Sequence, residues 1–221
     1  MKGKRKAVTA VLAAVVLLTG ALFGTLAYFT DQETVTNTFT IGKVGITLDE
    51  MDVKPDGTKD TDERVLENVY HLIPGTTYIK DPTIHVDEDS EDCYLFVKVE
   101  NGISNVETAV KGKTIADQMK ALDWVKVEGI DGVDNLYILR KGDGADKYAV
   151  SKGAEVVVFE TFTIDGDKVV SVPEGEAVPE GKVDLEKYKT AAVKVTAYAV
   201  QKSGFEDSTP AQIWNATFGK N

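Results

Sequence analysis

Beyond residue 28 the apolar and polar positions alternate mostly with a period of two, the pattern of half-buried strands and not of helices. In VTNTFTI, Val35, Phe39 and Ile41 share one parity with Asn37 between them, whereas in VGITL Val44, Ile46 and Leu48 take the other. The phase slips across Gly42 and Lys43, where a bulge or bend is the natural device. CYLFVKVE sets Cys93, Leu95, Val97 and Val99 on one face against Tyr94, Phe96 and Lys98. LDWVKVEG and NLYILRKG predict strands around Trp124 and Tyr137. EVVVFETFTI and KVVSV flank Asp165-Gly166-Asp167, which predicts a hairpin. AAVKVTAYAVQ alternates again, with Val193, Val195, Ala197 and Ala199 opposite Lys194, Thr196 and Tyr198.

Helical signals are short. Thr114 with Asp117 opens IADQMKAL as a cap, Asp184 caps LEKYK, and Thr209 before Pro210 begins AQIWNA in cap-then-proline order. Two acidic, turn-rich segments, 49–63 and 165–182, predict surface loops, the second a mobile tip or strap around PEGEAVPEG. Many short strands with helices only in the connections predict an all-β chain, a jelly-roll-like antiparallel β-sandwich.

The first 27 residues differ in kind. MKGKRK is basic, residues 7–23 are uncharged and mostly apolar, and Gly24, Thr25, Leu26 and Ala27 supply small residues before a cut between Ala27 and Tyr28. This predicts a helical, cleaved secretory signal, with an uncleaved anchor as the alternative. No second long apolar run and no LPxTG-like motif follows, so a chain released or held non-covalently at the surface is expected.

The 221 residues carry a net charge of -11, and without the four cations of the leader 21 Lys+Arg face 36 Asp+Glu, a net charge of -15. Such a surface repels phosphate backbones, so nucleic acid is not an expected partner, and membrane contact is expected only through the leader. The single cysteine, Cys93, excludes an intrachain disulfide; its place on the apolar face of its strand predicts a buried, inert thiol. His71 and His85 are the only histidines and show no His-Glu-x-x-His spacing. A structural role is the expected one, with a two-histidine zinc site as the alternative. The run 87–92 and Asp52, Asp56, Asp60 and Asp62 offer oxygen ligands without EF-hand spacing, so solvated turns are expected, with Ca2+ as the alternative. Asn215-Ala-Thr217 matches a glycosylation sequon in a predicted helix, a chance match. No nucleophile elbow or phosphate-binding loop occurs, and no enzyme and no cofactor are expected.

Three blocks taken together resemble the TasA/camelysin (CalY) family of exported Gram-positive proteins. The first runs through Ala27, Tyr28, Phe29, Thr30 and Asp31, then Asn37, Phe39, Gly42, Val44, Ile46 and Leu48. The others are IKDPTIHVDEDSEDCYLFVKV and KVTAYAVQKSGFED…AQIW. The resemblance implies export through a SipW-type signal peptidase, a jelly-roll-like sandwich and a structural role in the extracellular biofilm matrix. It also implies fibres in which the new N-terminus adds a strand to a neighbouring subunit. Camelysin is in addition classed as a cell-surface metalloprotease.

The expected division is therefore a signal peptide over 1–27, an N-terminal arm over 28–41 and a sandwich domain over 42–221. Phe29, Val35, Phe39 and Ile41 share odd parity, so an extended arm points them to one face, as a donor strand requires. Gly42 and Lys43 form the hinge. Head-to-tail exchange is open and yields a filament, with self and other matrix proteins as partners. A camelysin-like protease and a monomeric surface adhesin are the alternatives.

Overall fold

A computed structural model of the protein describes residues 44–144, 146–173 and 175–219. The leader, the Ala27/Tyr28 cut, the arm residues Phe29, Val35, Phe39 and Ile41, and the Gly42–Lys43 hinge lie outside the described residues.

The chain enters as a hairpin, β1 (Ile46–Val53) against β2 (Lys59–Val65). This corrects the expectation of a loop over 49–63. Most of its acidic residues are exposed or half-buried, whereas Glu50 and Val53 are buried, so an acidic segment is compatible with pairing. Pro55 and Gly57 (φ +81°) close the turn, with Gly57 N–H donating to Lys54 O. A Cβ at Gly57 would lie 2.5 Å from the Tyr78 ring, so glycine is required there.

β3 (Thr77–Ile79), β4 (Thr83–Val86) and β5 (Cys93–Asn101) follow, then helix α1 (Ile115–Ala121), β6 (Trp124–Lys126), β7 (Leu136–Leu139), β8 (Ala149–Val150) and β9 (Glu155–Val157). The chain ends with β10 (Thr161–Thr163), β11 (Val169–Val170), β12 (Val183–Asp184), a 3-10 helix (Leu185–Tyr188), β13 (Val193–Gln201) and helix α2 (Pro210–Phe218). One sheet has the order β2-β1-β4-β9 and the other β13-β5-β7-β6, with β8 also pairing β5. The pairings of both sheets are antiparallel. The result is the expected all-β sandwich.

EVVVFETFTI is not one strand. β9 joins β4 while β10 joins β3, and the buried Val158 and Phe159 mark the crossing. The Gln118 side chain takes the place of a strand partner there, accepting from Glu160 N and Thr161 N and donating to Thr161 O. Nor does Asp165 close a hairpin. Its carboxylate accepts from Asp167 N and Lys168 N, a side-chain turn that leads β11 into parallel pairing with β12.

β5 is buried on both faces, which explains its nearly unbroken apolar run. Cys93, Leu95, Val97 and Val99 meet Ile84, Val86 and Val156 of the opposite sheet. Tyr94 and Phe96, with Leu136 and Ile138, pack under Ile213 and Trp214 of α2. The caps are as expected. Thr114 accepts from Asp117 N, Asp184 from Glu186 N, and Thr209 forms a reciprocal capping box with Gln212.

Candidate functional site

The sandwich is not closed on every side. A groove of about 830 Å³ is lined by β1 and the start of β13. Leu48 and Glu50 line one wall; Leu185, Tyr188, Val193 and Val195 line the other; Ile103 and Phe162 lie deeper. Segment 66–73, which leaves β2, supplies the rim.

Among the described residues, both bordering strands present backbone that no other strand uses. In an antiparallel ladder, hydrogen-bonding residues alternate between the two sides of the strand. Gly102 N–H donates to Ala192 O, and the register pairs Lys194 with Glu100 and Thr196 with Lys98. The backbone groups of Lys194 and Thr196 therefore face β5, and those of Val193, Val195 and Ala197 face outward. Among the described residues no strand pairs on that outer side of β13. On β1, Asp87 N–H donates to Gly45 O, so Thr47 and Asp49 bond toward β4 and Ile46 and Leu48 face away. β2 reaches only as far as Val65 opposite Glu50. Two half-edges thus flank a groove lined by both apolar and charged side chains, the arrangement that accepts an added strand.

One polar group is built into the wall. Glu50, only 4% exposed, pairs with Lys80 and accepts from Asn68 Nδ2. Lys80 Nζ lies 5.9 Å from the centre of the Tyr70 ring, while Tyr70 O–H donates to Ile79 O at 2.9 Å. Burial, with Glu50 and Asp81 nearby, pushes the Tyr70 hydroxyl well above its ordinary range.

On the outer face of the same sheet, a charge ladder crosses all four strands. Arg64 of β2 pairs with Asp49 of β1, His85 Nε2 of β4 lies 2.9 Å from Asp49 Oδ1, and His85 Nδ1 lies 3.4 Å from Glu155 Oε1 of β9. Arg64 also reaches Asp81 at 3.0 Å. Burial alone would raise the Asp49 pKa, but hydrogen bonds from Arg64 and His85 outweigh it and hold the carboxyl below its ordinary value.

The other sequence candidates fall elsewhere. His71 lies on the exposed rim segment, apart from the His85 ladder. Cys93 is fully buried, and burial, then the nearby Asp92 charge, pushes its thiol up to about 11, the inert state expected of it. The 87–92 run is a turn in which Ser90 N–H donates to Asp87 O, and Thr217 of the sequon bonds back to Ile213 O within α2. What sequence reasoning missed is the groove itself. Its walls come from segments more than 100 residues apart, and the one local signal was the apolar content of VLENVYHLI, residues 65–73.

A family model described as camelysin metallo-endopeptidase matches residues 2–123. Comparison with curated proteins and with solved structures gives no significant match. The family description overturns the expectation that the chain is no enzyme, because it points to protease activity. The metal it implies finds no fit among the described residues, where no three His, Cys, Asp or Glu side chains converge. The two nitrogens of His85 face separate carboxylates, and Asp49 is already engaged by Arg64. The match spans more than half of the 221 residues and brings with it a cell-surface or extracellular setting: the chain belongs to the camelysin metallo-endopeptidase family.

Proposed function

We propose that this chain is a secreted structural protein of the extracellular matrix whose groove receives an extended strand from another copy. The donor is the arm at residues 28–41. The observation that carries the reading is the groove, part apolar and part polar, between two strand edges with outward-facing backbone groups. An incoming strand satisfies the N–H and C=O groups of Val193, Val195 and Ala197 while its odd-numbered apolar residues enter the groove. Each copy carries one arm and one groove, so addition is head-to-tail and does not close. Cleavage before Tyr28 by a signal peptidase frees the arm, and Gly42–Lys43 lets it leave its own domain.

The test compares a chain beginning at Tyr28 with one beginning at Ile41 by light scattering and electron microscopy. Fibres from the longer chain alone support the reading. Equal polymerisation of both refutes the donor role of the arm.

The family description favours a second reading, in which the groove holds a substrate peptide in the same extended form. Casein hydrolysis that is abolished by a chelator, and by His71→Ala or His85→Ala, would establish it. A groove that binds an extended polypeptide is common to both readings.

A further inference from the structure

Among the described residues, three of the six exposed large hydrophobic side chains lie on one short segment: Leu66 is 86% exposed, Val69 77% and Ile73 45%. All three line the same groove. Their exposure is not the looseness of an untethered loop. The Asn68 side chain accepts from Val53 N at 3.0 Å and donates to Met51 O at 2.8 Å. His71 N–H donates to Pro55 O at 2.7 Å, and its carbonyl accepts from Tyr78 O–H at 2.8 Å. Tyr78 Oη in turn accepts from Ile73 N. Residues 68, 71 and 73 are tied down, and this tethering turns Leu66 and Val69 outward as a fixed apolar rim. In a chain of net charge -11, whose surface otherwise favours solvation, such a rim is suited to being covered.

The sequence that precedes β1 has a matching feature. Phe29, Val35, Phe39 and Ile41 occupy odd positions, and at the even positions from 28 to 40 five of the seven residues are threonine: Thr30, Thr34, Thr36, Thr38 and Thr40. A strand face meant only for water would draw on Lys, Glu, Gln or Ser as readily. Threonine differs from serine by one β-methyl group, which gives a strand face both apolar contact and a hydroxyl.

We propose that the rim formed by Leu66 and Val69 packs on the methyl groups of this threonine face, so that the captured strand is held from both sides. This rests on the reading that the groove receives residues 28–41 of another copy. Phe29, Val35, Phe39 and Ile41 of the odd face enter the groove, with Asp31, Glu33 and Asn37 on the same parity between them; the even face lies under the rim, with its hydroxyls toward water. The rim then selects β-branched residues at even positions, a requirement that backbone pairing alone does not impose.

The test measures the critical concentration for fibre formation of the chain beginning at Tyr28. Changing Thr34, Thr36 and Thr38 together to Ser removes three methyl groups and keeps the hydroxyls. It is expected to raise the critical concentration about tenfold, the factor that about 1.4 kcal/mol represents. Changing the same three to Val keeps the methyls and leaves assembly at least as strong. In a Leu66→Ser, Val69→Ser background, whose thermal melt should match the parent, the serine changes are expected to add nothing. An undiminished serine effect in that background would assign it to strand propensity and overturn the proposal, as would no serine effect in either background. If the parent chain forms no fibres, the strand-capture reading falls first and the rim proposal with it.

Discussion

The outer face of β5 and the groove beside β13 solve one problem in opposite ways. On the first, the aromatic surface of Tyr94 and Phe96 is sealed by the chain itself. α2 lays Trp214, 6% exposed, over Phe96 with ring centres 5.6 Å apart, and over Tyr198 at 4.9 Å. On the second, Leu66 and Val69 stand in the open although their segment is firmly bonded. The described residues cover one apolar face with a helix and leave another uncovered beside strand edges. Among the described residues, half of the exposed large hydrophobic side chains, Leu66, Val69 and Ile73, line a groove beside strand edges, and this connects the groove to association or peptide binding.

The sharpest break of this comparison is Trp214→Ala. It removes the centre of the sealed side and should cost about 3–5 kcal/mol, read as a shifted urea midpoint with an unchanged slope. A loss below about 1 kcal/mol would mean that α2 is not part of the core.

Lys80→Met should come next. It strands the buried Glu50 carboxylate in the groove wall and should destabilise by roughly 3 kcal/mol. Adding Glu50→Gln should recover much of that loss, because the penalty belongs to the unpaired charge. If the double variant is no better than the single one, the Lys80 stem and its contact with Tyr70 matter more than the ion pair.

The two sides also differ in how legible they are from sequence. β5 and β13 are readable as strands from nine-residue runs rich in apolar residues, although burial alternates along neither: β5 is buried on both faces and β13 is half-buried over most of its length. Thr209-Pro210 announces α2 through local chemistry alone. Two strands were misread because their logic is not local. β2 is almost entirely exposed and is specified by its partner β1, not by an apolar face of its own. The break between β9 and β10 depends on Gln118, about 40 residues earlier, whose amide replaces a strand neighbour. The groove was invisible for the same reason: it exists only where β1, segment 66–73 and β13 meet. The expectation of an arm over 28–41 rests on parity, a local property, and falls outside the described residues.

Acid sharpens the comparison on the groove side. Asp49 has a folded-state pKa lowered mainly by Arg64 and His85 against the opposing effect of burial. Its stabilising contribution is therefore present above the ordinary carboxylate pKa and is lost as the pH falls through the depressed value. Asp49→Asn should lower stability near neutral pH by about 1 kcal/mol and flatten the acid limb of the stability profile. Urea midpoints at about pH 7 and about pH 3 measure both effects. An acid limb as steep as the parent's would shift the acid sensitivity to other carboxylates.

The smallest expected change in stability carries the most information about the open side. Leu66→Ser alters a side chain that is 86% exposed and should shift unfolding by no more than about 0.5 kcal/mol. The same substitution should weaken capture of a strand, because the methyl groups it would cover lose their partner. A residue inert in stability and active in association is serving a surface that the folded monomer does not itself use. Were Leu66→Ser to destabilise the monomer by 2 kcal/mol or more, about the value of a buried leucine, the rim would already be covered within one chain. The contrast between the sealed and open sides would then disappear.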